Sequence, residues 1–99
     1  MIEVRQTKRF ATWLKGLRDD RARARILKRL DRARGGNLGD VASVGGGVSE
    51  MRIFCGPGYR VYFVQRGSEL ILLLCGGGDK SSQAADIEEA KTLAKAIGQ

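Results

Sequence analysis

One segment of the sequence has a hydrophobic pattern that admits little besides a β-hairpin: EMRIFCGPGYRVYF, from Glu50 to Phe63. A turn is predicted at Gly56-Pro57-Gly58. On both sides of it, apolar and polar residues alternate, and successive side chains of a strand point to opposite faces of the sheet. One face is therefore apolar and directed at a core, and it consists of Met51, Ile53, Val61 and Phe63.

The other face of this hairpin combines two cations with two aromatic rings: Arg52, Phe54, Arg60 and Tyr62. Because a one-residue slip would mix the two faces, we expect Arg52 to lie opposite Tyr62 and Phe54 opposite Arg60. A cationic, aromatic sheet face can hold a phosphate and a nucleobase. The alternative is a structural role, in which the two arginines pair with nearby carboxylates, namely Glu50, Glu69 or Asp79.

Two amphipathic helices are predicted before the hairpin. Thr7 can cap the first, whose apolar stripe has the i, i+3, i+4, i+7 spacing at Phe10, Trp13, Leu14 and Leu17. Asp19 or Asp20 can cap the second, which ends at Gly35-Gly36 and buries Ala22, Ile26, Leu30 and Ala33. The short connection between them predicts an αα-hairpin.

Further strands are predicted at Ile2 to Arg5, at Val41 to Val44 and at the apolar run Glu69 to Cys75, which is typical of an inner strand. A final helix from about Ser82 to Ile97 would bury Ile87, Ala90, Leu93, Ala94 and Ile97. The element order is β-α-α-β-β-β-β-α. The 99 residues therefore predict a single α+β domain, residues 1–99.

The positive charge is concentrated in the helical hairpin. The chain has a formal net charge of +7, and residues 1–34 contain 12 of its 18 Lys and Arg residues but 4 of its 11 Asp and Glu residues. This asymmetry indicates a polyanionic partner, with nucleic acid the first candidate. The cations that we expect to contact RNA are Arg21, Arg25 and Lys28. A solvated helix face with no partner is the alternative.

Several classes of function are excluded or disfavoured by composition. The chain has no His and two cysteines, Cys55 and Cys75, so neither His acid–base chemistry nor a zinc site is expected, and we predict no metal or cofactor. Both thiols are predicted to be buried and reduced. No apolar run approaches the roughly 20 residues that cross a bilayer, and the N-terminus does not resemble a signal peptide. We therefore expect a cytoplasmic protein without a membrane partner.

The segment GGGDKSS before the last helix resembles a phosphate-binding P-loop only superficially. In that motif Gly directly precedes the Lys, whereas here Asp79 precedes Lys80. Lys80 nevertheless lies just before a helix N-terminus, where free backbone N–H groups favour anions. It is a candidate base or charge stabiliser, and a solvated loop lysine is the alternative.

Four blocks, FATWLKGLRD, RARILKRLDRARGGNLGD, GGGVSEMRIFCGPGYRVYF and LLLCGGGDKSSQAADIEEA, together resemble the RelE/ParE toxin superfamily, most closely its HigB-like addiction-module killer branch. The resemblance runs from about Phe10 to Ala96. It implies a RelE-like fold, a curved antiparallel sheet with an N-terminal αα-hairpin and a C-terminal helix. It also implies a type II toxin that cuts mRNA on the ribosome without a metal, by attack of the ribose 2′-OH on the adjacent phosphate.

The resemblance also implies roles for individual residues. Arg52 and Arg60 would hold the scissile phosphate and stabilise the charge of the phosphorane, and Lys80 would act as a base or charge stabiliser. Phe54 or Tyr62 would stack a base. The basic helices would grip ribosomal RNA. The family's ribonucleases have a His or Tyr near the C-terminus, where this chain has Gln83 and Asp86. Proton transfer would then fall to Lys80, to Glu50 or to ribosomal RNA.

Two other functions fit the same resemblance. A ParE-like toxin that poisons DNA gyrase shares the fold and does not need the three cations. A catalytically weak module that only binds its antitoxin is favoured by the missing His or Tyr. In each case the expected partner is a cognate antitoxin with a helix-turn-helix domain. The chain would contact operator DNA only through this antitoxin.

Overall fold

The computed structural model describes residues 1–98; Gln99, the last residue of the predicted domain, lies outside the described residues. The α+β class and the predicted order of elements are confirmed. A 3₁₀ turn at Lys80–Ser82 leads into the last helix. The strands and helices are β1 (Glu3–Gln6), α1 (Lys8–Lys15), α2 (Asp20–Arg34), β2 (Val41–Gly45), β3 (Val48–Ile53), β4 (Tyr59–Arg66), β5 (Leu70–Gly77) and α3 (Gln83–Ala96).

The strands form one mixed five-stranded sheet in the order β1-β5-β4-β3-β2. Strands β2 to β5 pair antiparallel with their neighbours, but β1 runs parallel to β5, with Glu3 beside Leu70 and Gln6 beside Leu73. The expectation of an entirely antiparallel sheet is therefore wrong at this edge. Short turns force β2 to β5 to alternate in direction, whereas the two intervening helices leave β1 free to pair parallel.

The helix boundaries follow local capping chemistry. The hydroxyl of Thr7 accepts a hydrogen bond from the backbone N–H of Phe10 (3.0 Å), and the carboxylate of Asp19 accepts one from Ala22 (3.1 Å). These bonds satisfy N–H groups that have no partner inside the helix. The predicted buried face of α2 is confirmed at Ala22, Ile26, Leu30 and Ala33. The last helix differs from its prediction, since it ends at Ala96 and the following Ile97 is exposed.

Two hydrophobic cores cover the two faces of the sheet. Helices α1 and α2 pack on one face, whose buried side chains include the four predicted for the hairpin: Met51, Ile53, Val61 and Phe63. Helix α3 packs on the other face through Ala90 and Ala94, against residues that include Tyr62, Leu74 and Cys75. No helix within residues 1–98 is long and apolar enough to cross a membrane.

A β-bulge in β5 determines which face its last residues occupy. Tyr62 pairs with Cys75 and Phe63 with Leu73, so Leu74 is an extra residue without a partner in β4. As a result Gly76 faces the α1 side of the sheet, where a Cβ atom would collide with the Trp13 ring. Glycine is thus required there for Trp13 to lie against the strand.

Candidate functional site

The hairpin pairing places Arg52 directly opposite Arg60, and Glu50 opposite Tyr62. The predicted pairing of Arg52 with Tyr62, and of Phe54 with Arg60, is wrong by two residues. A shift of two residues keeps every side chain on its predicted face, so the alternation alone cannot exclude it. The last pair before the turn is Ile53 with Tyr59, which leaves Phe54 beyond the end of the strand pair.

A buried carboxylate lies between the two arginines. Glu50 is only 3% exposed, and its Oε2 accepts hydrogen bonds from the Tyr62 hydroxyl (3.2 Å) and from Nε2 of Gln83 (2.8 Å). The Nε atom of Arg60 is 3.6 Å from Glu50 Oε2, and Nε of Arg52 is 4.0 Å from Glu50 Oε1. Both arginines therefore pair with Glu50, one of the three carboxylates that the sequence offered as their partners.

Both guanidinium groups are ion-paired with Glu50 through Nε, but neither Nε–H is close enough to form a hydrogen bond. The Nε–H groups of Arg52 and Arg60 are buried and have no hydrogen-bond acceptor among residues 1–98. Arg52 also pairs with Asp40 (3.3 Å), and Arg60 donates to the carbonyl of Gly58 (3.0 Å). The Arg52 side chain is 43% exposed and that of Arg60 is 15% exposed. Both arginines thus have partners within the fold, and Arg52 is the more accessible to an anion.

Tyr62 cannot stack a base in this structure. Its side chain is 0% exposed and packs in the core beneath α3. Burial, together with the nearby carboxylate of Glu50, raises the pKa of Tyr62. The expectation that Tyr62 offers an aromatic surface to RNA is therefore wrong, because α3 covers the part of the sheet face on which Tyr62 lies. Tyr59, the predicted core residue, is half-buried with its ring edge-on to Trp13.

Lys80 lies in the turn that leaves the sheet beside Arg60. Gly77, at the end of β5, pairs with Arg60, and the exposed Lys80 follows in the 3₁₀ turn. Asp79 caps this turn by accepting hydrogen bonds from the Ser81 hydroxyl (2.6 Å) and the Ser82 N–H (3.2 Å). These bonds, aided by the positive charge of Arg60, hold the pKa of Asp79 below its ordinary value. The turn therefore brings a carboxylate and a lysine to the arginine end of the sheet.

Gln83 reaches this site although the sequence assigned it no role. It is the first residue of α3, and its side-chain amide donates to Glu50 across the sheet surface. Asp86, one turn later, accepts a hydrogen bond from the Ser82 hydroxyl (2.7 Å) and lies against Gly77. The sequence predicted that Gln83 lies near the start of the last helix. Its hydrogen bond to Glu50 could not be predicted, because it depends on how α3 packs on the sheet.

Phe54 lies apart from the arginine pair, in a groove on the α2 side of the sheet. Its side chain is 74% exposed, and its carbonyl accepts a hydrogen bond from Arg25 (3.4 Å). The prediction that Phe54 shares a face with Arg60 and Tyr62 is wrong, because β3 ends one residue earlier. The three cations of α2 that were predicted to contact RNA are all exposed. Arg25 and Lys28 line the groove, and Arg21 lies one turn earlier in the helix. The groove has a volume of about 380 Å³ and is lined by Arg25, Lys28, Arg29, Arg32, Ile53 and Phe54.

The cysteines and carboxylates do not form a reactive or metal-binding cluster. Both thiols are free, with Cys75 buried and Cys55 half-buried, and burial raises the pKa of Cys75 to about 12. Within the described part of the chain, no group of three or more His, Cys, Asp or Glu side chains is placed to hold a metal ion. The charged groups at the arginine end of the sheet are thus the chemically distinctive feature of its α3 face.

Comparison with known proteins finds a similarity that extends over nearly the whole chain. No protein-family model matches the chain. A protein of Haemophilus influenzae, described as uncharacterized, is 46% identical over 97 residues, which span 98% of this chain and 97% of that protein. The match therefore takes in the sheet, the helical hairpin and the last helix together.

Proposed function

We propose that this chain, which belongs to the same protein family as the Haemophilus influenzae relative, is the toxin of a type II toxin–antitoxin pair. Its activity would be metal-independent, ribosome-dependent cleavage of mRNA in the cytoplasm. The observation that carries the proposal is the direct pairing of Arg52 and Arg60 on adjacent strands, with the Arg52 side chain 43% exposed. The RelE/ParE-like sequence blocks supply the substrate and the reaction.

Two neighbouring guanidinium groups suit a phosphate that gains charge during a reaction. In the proposed step the 2′-oxygen forms a bond to phosphorus while the bond from phosphorus to the 5′-oxygen breaks. The products are a 2′,3′-cyclic phosphate and a 5′-hydroxyl. The phosphorane carries more negative charge than the ground state, so donors fixed around it lower the barrier. Arg52 and Arg60 would supply these donors, and Lys80 would add a third cation.

Glu50 suits a positioning role better than that of a base. Its side chain is 4% exposed, and Oε2 already accepts two hydrogen bonds. A carboxylate in this arrangement orients Arg52 and Arg60 rather than reaching a ribose hydroxyl. Because Lys80 would act as a cation, the proton of the 2′-OH would pass to a group of ribosomal RNA. The leaving 5′-oxygen would be protonated by Lys80 or by ribosomal RNA.

Induced expression of the chain without an antitoxin tests the proposal. We expect translation to stop and new mRNA 5′ ends to accumulate in translated regions. Arg60→Ala should reduce cleavage roughly 100-fold or more, the loss typical of removing one donor from an oxyanion site. Lys95→Ala, which removes an exposed cation from the last turn of α3, is the matched control and should cleave normally.

Three outcomes would contradict this function. Full toxicity of a folded Arg60→Ala variant would remove the arginine pair from the mechanism. A DNA-damage response with intact mRNA would point instead to a ParE-like gyrase poison. Growth without arrest, in cells that accumulate folded protein, would leave a module that only binds its helix-turn-helix antitoxin.

A further inference from the structure

We propose that the groove between α2 and Phe54 binds single-stranded RNA, with a base stacked on Phe54 and the backbone phosphates on the α2 cations. This α2 groove is the cavity of about 380 Å³ described above. It lies on the face of the sheet opposite Glu50 and α3. The proposal rests on the proposed function for its choice of RNA, but it assigns a separate binding site.

The cations of the α2 groove fall into two kinds. Arg29 is half-buried and donates to the carbonyls of Arg52 (2.6 Å) and Leu38 (3.0 Å), so its guanidinium closes the edge of β3 where β2 no longer covers it. The exposed cations Arg25, Lys28 and Arg32 lie along the same side of the helix. From Arg25 to Arg32 they cover about 10 Å of helix, long enough for more than one phosphate.

Phe54 gives this groove a property that positive charge alone lacks. Its carbonyl is held by Arg25, and Ile53 beside it is 2% exposed, yet the Phe54 ring is 74% exposed. An exposed aromatic ring at the edge of a cationic groove is the arrangement on which unpaired bases stack. No carboxylate is among the residues that line the groove.

These features favour a single strand of RNA over the other polyanions. In a duplex the base faces are already stacked on their neighbours, so the ring of Phe54 would contribute little to binding. An acidic protein segment would use the cations and leave the aromatic face without a specific partner. Single-stranded RNA uses both, because each nucleotide carries a phosphate and a flat base.

Fluorescence anisotropy with a labelled short oligoadenylate and the purified chain tests this site without any cleavage. Phe54→Ala should weaken binding roughly 5- to 100-fold and leave the salt dependence unchanged, since stacking releases no counterions. Lys28→Ala should weaken binding and reduce the slope of log K against log salt by about 0.7 for the one lost phosphate contact. Phe54→Tyr should retain affinity, and Lys95→Ala should match the wild type.

The outcomes separate this site from the proposed cleavage function. Arg60→Ala should bind the oligoadenylate normally, because the Arg60 side chain lies on the other face of the sheet. A variant can therefore lose cleavage and keep oligoadenylate binding, or lose binding and keep cleavage. Binding unaffected by Phe54→Ala would overturn the proposal. Polyglutamate that binds more tightly than the oligoadenylate, and loses affinity with Lys28→Ala but not with Phe54→Ala, would also overturn it. The groove would then favour an acidic protein over RNA.

Discussion

Glu50 Oε2 lies 3.6 Å from Nε of Arg60, and the Glu50 side chain is only 4% exposed. A buried carboxylate is tolerated when charged and hydrogen-bonding partners replace its lost water. Tyr62 and Gln83 provide hydrogen bonds, and Arg52 lies on the other carboxylate oxygen. Glu50 therefore connects β3, β4 and α3 at the point where the two arginines meet.

Glu50→Gln should lower the free energy of unfolding by about 2–3 kcal/mol, measured by urea denaturation. The substitution keeps the shape of the side chain but leaves the mostly buried Arg60 without its counter-ion. Glu3→Gln is the control, because the Glu3–Arg5 pair is exposed and such pairs contribute at most about 1 kcal/mol. Equal urea midpoints for Glu50→Gln and the wild type would show that the Glu50–Arg60 pair contributes no stability.

Tyr62 should make the native state lose stability at alkaline pH. Its pKa is raised in the folded protein, so the folded state keeps the phenol proton that the unfolded state releases near pH 10. The contribution of the neutral Tyr62 phenol to the free energy of unfolding is therefore complete below about pH 10. It is lost as the pH rises through the higher pKa of the folded state. Cys75 should also lower the stability of the native state as the pH rises above about 9, because its pKa in the folded protein is raised to about 12.

Thermal unfolding measured from pH 8 to pH 11 should detect this loss, and Tyr62→Phe should lose less stability over the same range. At neutral pH, Tyr62→Phe should cost about 1 kcal/mol, the value of the lost hydrogen bond to Glu50. If the unfolding temperatures of the wild type and of Tyr62→Phe fell in parallel above pH 10, this result would contradict the burial of the Tyr62 hydroxyl.

Gly76→Ala should destabilise the fold by about 2–3 kcal/mol, because the new methyl group would overlap the Trp13 ring and force it away from β5. Gly35→Ala is the matched control. Its Cβ would lie 3.5 Å from the Arg32 carbonyl, an ordinary contact, and its backbone has φ −83°, so it should be neutral or slightly stabilising. Guanidinium denaturation compares the two, and equal midpoints would rule out close packing of Trp13 on Gly76.

Features that depend on neighbours along the chain could be predicted from the sequence. The Thr7 and Asp19 caps, the buried stripe of α2 and the apolar face of the hairpin follow from bonds and periodicities that span a few residues. The parallel pairing of β1 with β5 and the placement of Arg52 opposite Arg60 could not be predicted in this way and depend on the packing of the whole fold. That packing also determines that Tyr62 is buried and that Phe54 joins the cations of α2. The physical reason is that a two-residue shift keeps both faces of a strand intact, so only packing against distant elements selects the register and with it the members of the site.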